Sequence, residues 1–413
     1  MPDIKEVTLA NGMRLITIKK DSQIMALNLG FRVGAMKDPP GKKGLSHFLE
    51  HMLFTGTKNR SHDVINEDFE FLGGDVNAFT DLTQLVITAS ALSGEIDRAV
   101  ELISDLVINS QFSQTEMERE GHVILSEYKE GLEDLETVAY DLLYAKGWPQ
   151  DPLRFDVIGD EATIQAITLQ DLEAHRERYL TPANAVLTMA SNWSHEAMIA
   201  LAKKYFNEWE GEAPTSPPFK HLTNKPGQWE TVTDSSEMAT VTVLYHFPDL
   251  DPALEPALKV LNRRLGDSDN SLLFQEIRLK RGLSYDIYSS LDLTPQVRML
   301  EIYCATEAEN ILEVLDVIQE IIRDVSSGKL ALREKDLELS HKMHRTHSAA
   351  LLDDTQALSG YILANALDRL PLLYYEKELT DMSRLEVSDL RQAAQVIFKK
   401  PTISMVIPSE DEE

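Results

Sequence analysis

Two histidines and one glutamate lie close together near residue 50, in a pattern that could hold a metal ion. His47, Glu50 and His51 form His-x-x-Glu-His, and the apolar residues around them recur at intervals of three and four, which predicts a helix over 45–53. Side chains four apart leave the same face of a helix, so both imidazoles could reach one zinc ion at ~2.0–2.1 Å. Glu50 shares that face and could take the proton of a water molecule that the zinc activates. The chemistry indicated is hydrolysis, with the motif in the inverse of the more common His-Glu-x-x-His order.

The motif is short, and two unrelated histidines on one helix face are the alternative interpretation. The surrounding sequence disfavours that alternative. Leu45, Phe48 and Met52 make the rest of this helix face apolar. Burying two imidazoles and a carboxylate in such a face is costly unless they bind a common ligand or pair with one another. We therefore favour a metal site.

A catalytic zinc needs a third protein ligand and one open position. A second helix is predicted over 113–132, because Ser113 and Glu116 match a capping box. The glutamates of this helix are the candidate ligands: Glu116, Glu118, Glu120, Glu127 and Glu130. Glu120 and Glu127 are seven apart and are expected on the face of Val123 and Ile124. That spacing favours Glu127 as the ligand and Glu120 as a group that orients a ligand, and it leaves the others open.

The elements around these helices indicate two domains. A chain of 413 residues is long for one core. Asn11-Gly12 predicts a hairpin, and Gly73-Gly74 precedes a predicted strand pair at 76–80 and 84–91. The stretch 211–228 is rich in Pro, Thr, Ser and Gly and reads as an exposed connector. We place the domains at 1–212 and 213–413.

The second half repeats the element order of the first, which indicates an internal duplication. A strand over 239–246 is followed by a helix over 252–265, a strand pair at 284–291 and 298–305, and a helix over 310–325. The helix in the matching place has no His-x-x-Glu-His, since 257–264 reads Ala-Leu-Lys-Val-Leu-Asn-Arg-Arg. Only the N-terminal half is therefore expected to hold the metal.

Composition narrows the class of protein. The formal net charge is −28, from 68 acidic and 40 basic residues, which disfavours nucleic acid as a partner. The single cysteine, Cys304, cannot form an intrachain disulfide. No signal peptide is visible, and no window reaches the ~18–20 apolar residues of a membrane-spanning helix. We expect a soluble, cytoplasmic protein with no membrane partner; a mitochondrial matrix protein after presequence removal would look the same.

Residues 44–57, Gly-Leu-Ser-His-Phe-Leu-Glu-His-Met-Leu-Phe-Thr-Gly-Thr, resemble the signature of the pitrilysin-type (M16) metallopeptidases. This family includes insulin-degrading enzyme, the mitochondrial processing peptidase and bacterial two-domain members. Its third zinc ligand is a glutamate in a segment similar to residues 118–127, so the resemblance implies Glu127, which follows His51 by 76 residues. The auxiliary glutamate of the family, seven residues earlier, falls on Glu120.

Two further segments carry the resemblance. Residues 73–80 resemble the family's Gly-Gly-x-x-Asn-Ala-x-Thr strand, which implies substrate binding by Asn77, Ala78, Phe79 and Thr80. Residues 274–285 resemble a segment of the C-terminal domain with an arginine and a tyrosine seven apart, here Arg278 and Tyr285. The resemblance implies that these two contact the substrate or the reaction intermediate. A guanidinium and a phenol are suitable donors to a developing oxyanion.

The resemblance implies an α+β fold of two homologous domains, each a mostly antiparallel sheet covered by helices, that form half of a clamshell. It also implies one Zn²⁺ per chain and a homodimer, or a heterodimer with a related subunit, that encloses a chamber for small unfolded peptides. The expected activity is that of a zinc metalloendopeptidase. One alternative is a processing peptidase for a single precursor, acting with a non-catalytic partner. A non-catalytic structural subunit is a further alternative, which the complete set of metal residues disfavours.

Overall fold

The computed structural model describes residues 2–148, 152–215, 223–233, 238–330 and 332–409, so residues 216–222 of the expected connector lie outside the described residues. The strands are β1 (Asp3–Thr8), β2 (Arg14–Lys19), β3 (Ile24–Phe31), β4 (Asp75–Thr80), β5 (Leu85–Leu92), β6 (Ala185–Ser191), β7 (Gly227–Thr233), β8 (Ala239–His246), β9 (Ser284–Asp292), β10 (Met299–Thr306) and β11 (Thr402–Pro408). The α-helices are α1 (Leu45–Leu53), α2 (His62–Phe71), α3 (Ile96–Ile108), α4 (Gln114–Gly131), α5 (Leu135–Gly147), α6 (Glu161–Ala166), α7 (Leu169–Tyr179), α8 (His195–Phe206), α9 (Glu255–Leu265), α10 (Ile311–Ser327), α11 (Glu334–Asp353), α12 (Thr355–Leu367), α13 (Tyr374–Met382) and α14 (Val387–Ile397). Within the described ranges, none of these helices combines the length and the apolar composition needed to cross a membrane.

The first compact unit is built on a six-stranded sheet with the order β1-β2-β6-β3-β5-β4. All neighbouring strands are antiparallel except β2 and β6, which are parallel. The predicted Asn11-Gly12 turn connects β1 to β2, with Gly12 at φ +90°, a conformation that glycine adopts without strain. One face of the sheet packs against a core that includes α1, α3, α7 and α8, and the other face packs against α12.

The second compact unit is built on a five-stranded sheet with the order β7-β11-β8-β10-β9. Here β7 and β11 are the parallel pair, and the other neighbours are antiparallel. Helices α9, α10 and α14 cover one face, and α5 packs on the other against β8 and β11. Cys304 is buried in the core of this unit.

Apart from β1, which has no counterpart among the described strands of the second sheet, the two sheets have the same topology, and this confirms the predicted α+β class with two similar halves. Five strands of the first sheet have a counterpart at the same place in the second: β2 with β7, β3 with β8, β4 with β9, β5 with β10 and β6 with β11. The parallel pair stands at the same position in both. The helices correspond as well: α1 with α9, α3 with α10, and α4 with α11 follow the same strands in the same order.

The compact units differ from the continuous halves expected at 1–212 and 213–413. The first unit contains described residues of 1–128, 155–218 and 347–374, and the second contains those of 129–154, 219–346 and 375–413. The physical reason is an exchange of helices. Helix α5, from the first half of the chain, buries its apolar residues on the second sheet, while α12, from the second half, buries its own on the first.

Candidate metal centre

Helix α1 presents the three residues of the motif, and its start is fixed by a buried carboxylate. Asp38 accepts hydrogen bonds from the backbone N–H groups of Gly44 and Ser46, both at 3.0 Å, and from the Ser46 hydroxyl at 2.6 Å. These are N–H groups at the first turn of a helix, which otherwise lack partners. Burial raises the pKa of Asp38 to about 6, although the hydrogen bonds from Ser46 oppose the shift. His175 contacts the same hydroxyl at 3.0 Å through Nε2.

Gly44 is required at the start of α1 by space as well as by conformation. Its φ is +89°, and a Cβ built on it would lie 2.2 Å from the carbonyl oxygen of Ile158. A side chain at this position would therefore displace the helix that carries His47 and His51. Sequence reasoning did not find Asp38, because it lies six residues before Gly44 and outside any capping spacing.

His47, His51 and Glu127 meet at one point. The Nε2 atom of His47 lies 3.8 Å from Glu127 Oε1, and the Nε2 atom of His51 lies 3.7 Å from Glu127 Oε2. One ligand atom from each of the three residues falls within 4.8 Å of the others. Ligand atoms of a tetrahedral zinc site are ~3.4 Å apart, so the two distances to Glu127 are close to that spacing. The donor set of two imidazoles and a carboxylate fits Zn²⁺.

The protonation state of His47 also fits a metal ligand. Burial, with a smaller contribution from the neighbouring His51, lowers the pKa of His47 to about 4. The neutral imidazole is the form that coordinates a metal. Its Nδ1 atom is buried and has no hydrogen-bond partner among the described residues. This nitrogen points away from the Glu127 contact, so Nε2 is the atom available to a metal.

Glu120 contacts His51 on the side opposite to Glu127. Its Oε2 atom lies 3.3 Å from His51 Nδ1, while Oε1 accepts hydrogen bonds from the Arg119 guanidinium. A carboxylate at Nδ1 holds the proton there and leaves the Nε2 lone pair for a metal. These contacts fit the expected roles, with Glu120 orienting His51 and Glu127 binding the metal, and both roles stay predictions.

The two apolar residues expected on the face of Glu120 and Glu127 differ in burial. Ile124 is fully buried, but Val123 is 47% exposed. Two of the other candidates have different partners: Glu116 pairs with Arg119, and Glu118 accepts a hydrogen bond from Gln114. Throughout the residues that the structure describes, His47, His51 and Glu127 are the one grouping of this kind.

Glu50 contacts the edge strand of the first sheet. Its Oε2 atom accepts a 2.6 Å hydrogen bond from the hydroxyl of Thr80, the last residue of β4. Burial raises the pKa of Glu50, and the hydrogen bond from Thr80 and the charge of His51 oppose that shift. The resemblance implies that Thr80 binds substrate, which stays a prediction, and the structure shows that its side chain donates to the predicted base.

The rest of the predicted substrate strand lies at the sheet edge. Strand β4 pairs only with β5, so one of its edges carries no neighbouring strand among the described residues. The Asn77 side chain accepts a hydrogen bond from the Ala78 N–H, and Phe79 is 45% exposed. An edge strand of this kind can add an extended peptide by backbone pairing.

Arg278 and Tyr285 contact each other within the second unit. Arg278 lies on a π-helix over Phe274–Lys280, and Tyr285 is the second residue of β9. The guanidinium lies 4.9 Å from the centre of the Tyr285 ring and 4.8 Å from that of Phe274. Tyr285 is 78% exposed. The pair is therefore held together and open to solvent, and its role toward a substrate stays a prediction.

Comparison with known proteins identifies the family. Residues 14–161 match the family model described as insulinase (peptidase family M16), and residues 166–339 match that of the peptidase M16 inactive domain. An uncharacterized zinc protease of Mycobacterium leprae is 30% identical over 332 residues, covering 79% of this chain and 74% of that protein. The chain belongs to peptidase family M16. The uncharacterized zinc protease YmxG of Bacillus subtilis is another relative. It is 28% identical over 357 residues, which are 86% of this chain and 86% of that protein.

Solved structures share the fold of this M16 chain. A protease from Helicobacter pylori superposes with a TM-score of 0.92 at 20% identity, covering 99% of this chain and 100% of that one. A peptidase M16 inactive domain from Pseudomonas fluorescens gives a TM-score of 0.88, also at 20% identity, with 100% and 99% coverage. The match of the second half to an inactive-domain model agrees with the absence of His-x-x-Glu-His from α9.

Proposed function

We propose that this M16 protein is a zinc-dependent endopeptidase that cleaves small unfolded peptides, with Glu50 as the general base. The observation that carries the proposal is the convergence of His47, His51 and Glu127 within 4.8 Å, with Glu50 on the same helix as the two histidines. When bound, Zn²⁺ would supply Lewis-acid polarisation of the scissile carbonyl and lower the pKa of the attacking water.

Glu50 moves the proton in this mechanism. Thr80 donates to Oε2, so we assign proton transfer to Oε1, which takes the proton of the attacking water and returns it to the leaving amine. The raised pKa of Glu50 suits both steps, because a carboxylate of ordinary acidity holds a proton less well. Glu120 keeps the His51 ring in one orientation throughout.

Both backbone and side-chain groups of this chain are assigned to substrate binding. The free edge of β4 at Asn77–Thr80 would pair with the peptide backbone, and Arg278 and Tyr285 would donate to a peptide carbonyl or the developing oxyanion. As in the relatives that the sequence resembles, we propose that a second chain, identical or related, encloses the chamber in which the peptide is cleaved.

Metal analysis and peptide cleavage of the wild type and of Glu50→Gln test the proposal. The variant should keep its zinc and lose about 10²-fold or more in turnover, because it removes general base catalysis alone. Glu67→Gln, an exposed glutamate of α2, is the matched control and should behave as the wild type. Unchanged turnover in Glu50→Gln would refute the mechanism, and a wild type purified without chelator that holds no zinc would refute the site.

A further inference from the structure

The second unit contains a basic cavity between the two helices that correspond, in chain order, to the helices of the metal centre. The cavity has a volume of about 420 Å³ and is lined by the end of α9, the start of α11 and the segment between 268 and 275. In the order of elements, α9 corresponds to α1, which carries His47 and His51, and α11 corresponds to α4, which carries Glu120 and Glu127. The duplicated fold therefore forms a cavity between the corresponding helices and lines it with different residues.

The charges around this cavity are mainly positive. Arg263 and Arg264 come from α9, Lys335 from the first turn of α11, and Arg333 directly precedes that helix. Asp336 is the one acidic residue among the described residues of the lining. Four positive side chains and one negative give a formal charge of +3, in a chain whose net charge is −28. A concentration of positive charge in a cavity of an acidic protein indicates an anionic ligand.

The single carboxylate does not satisfy these guanidinium groups. Asp336 accepts from Arg333 Nη2 at 3.0 Å and lies 3.7 Å from Arg264 Nε. Arg263 makes no ion pair among the described residues, and its Nε atom, like that of Arg264, is buried without a hydrogen-bond partner there. Burial lowers the pKa of the Arg264 guanidinium, Asp336 raises it, and the charge of Arg333 lowers it further. Arg264 also donates through Nη1 to the carbonyl oxygen of Asn270 at 2.7 Å.

We propose that this cavity binds a small molecule that carries a polyvalent phosphate group. The guanidinium fork matches phosphate oxygens in bidentate geometry, and a charge of +3 suits a di- or triphosphate better than a single carboxylate. The volume lies within the range of small-molecule sites and exceeds what one phosphate fills. Ser268, Asn270 and Gln275 add polar groups to the wall. Arg333, with a 54% exposed side chain, stands at the opening.

Calorimetric titration of the full chain with inorganic tripolyphosphate tests the proposal, and it does not depend on zinc or on peptidase activity. Arg263→Gln should weaken binding about tenfold or more, because it removes a charged hydrogen-bond donor from the site. Arg323→Gln, an exposed arginine of α10 outside the cavity, should leave binding unchanged. Asp336→Asn should tighten binding, because it removes the competing carboxylate while keeping an oxygen that can accept from the Arg333 backbone.

Circular dichroism establishes that each variant folds. If Arg263→Gln does not fold, Arg263→Lys, which keeps the charge and loses the fork, and the exposed Arg333→Gln take its place, and each should still weaken binding. No heat of binding at millimolar tripolyphosphate would overturn the proposal. So would an equal loss of affinity in Arg323→Gln, which would mean diffuse charge attraction, or equally tight binding of citrate, which would mean a carboxylate site.

Discussion

The hydroxyl of Thr80 donates a 2.6 Å hydrogen bond to Oε2 of Glu50. This contact joins the end of an edge strand to the helix that carries the metal motif, so the strand proposed to bind peptide backbone also orients the proposed base. Glu50 lies one residue from His51, and a carboxylate in that place has several rotamers. The hydrogen bond selects one of them. Peptide binding along β4 and proton transfer at Glu50 are therefore expected to be linked.

Thr80→Val should lower turnover about tenfold, because it keeps the shape of the side chain and removes the hydrogen bond to a charged group. Zinc content should stay at the wild-type level, since Thr80 contacts no proposed metal ligand. Thr80→Ser keeps the hydroxyl and is the matched control, so most of the turnover should remain. Peptide cleavage rates with parallel metal analysis provide the measurement, and equal losses in the serine and valine variants would contradict the role of the hydroxyl.

Glu120→Gln should weaken zinc binding by about 10–100-fold, the usual effect of removing a carboxylate that orients a histidine ligand. The cause is the 3.3 Å contact between Glu120 Oε2 and His51 Nδ1, which an amide reproduces less well. Competition with a chromogenic chelator measures the affinity. Glu118→Gln, on the same helix but exposed, should keep wild-type affinity. An unchanged zinc affinity in Glu120→Gln would mean that Arg119, not His51, is the functional partner of this carboxylate.

The two helices that carry the site could be predicted from the sequence, because apolar spacing and capping residues are features of a short stretch of chain. The apolar spacing around His47 gave α1 at its observed bounds, and Ser113 gave the start of α4 to within a residue. The duplication was visible as a repeated element order, and the common topology of the two sheets bears it out. A helix at 62–71 was not predicted, although Ser61 caps it through a hydrogen bond from the Val64 N–H.

The remaining features depend on tertiary contacts that periodicity does not encode. An apolar face shows that a helix is buried, but it does not show which sheet buries it, so the exchange of α5 and α12 was missed. Asp38 binds the start of α1 from a separate turn of the chain. The basic cavity joins Arg263 to Arg333, which lie 70 residues apart in the sequence. Each of these relationships needs the assembled fold.

Arg278→Ala should lower peptide turnover while leaving zinc content unchanged. The guanidinium is stacked on the rings of Phe274 and Tyr285, so it is already held in place for a substrate contact. Tyr285→Phe should also lower turnover, because it removes the phenol donor from an exposed ring. Arg281→Ala is the matched control on the neighbouring turn, where the arginine pairs with Glu276 and Glu313. Loss of zinc from Arg278→Ala would contradict the assignment of this residue to substrate.

Glu301 should make the stability of the protein depend on pH. This residue of β10 is buried, and burial raises the pKa of its carboxyl to about 7; Asp292 adds to the shift, while hydrogen bonds with Tyr144 and Ser290 oppose it. The folded state therefore holds a proton at pH values where the unfolded chain, near its ordinary value of 4.5, has released it. Since the folded state binds more protons, the free energy of unfolding should fall as pH rises between about 4.5 and 7.

Glu301→Gln removes this dependence because the amide stays neutral. At pH 8 the variant should be more stable than the wild type, by at most about 3 kcal/mol, and below pH 4.5 the two should agree more closely. Urea unfolding followed by circular dichroism across that range measures the difference. Glu230→Gln, an exposed residue of β7, should follow the wild type at every pH. A stability difference between Glu301→Gln and the wild type that does not change with pH would contradict this prediction, because it would mean that the Glu301 carboxyl has the same pKa in the folded and the unfolded chain.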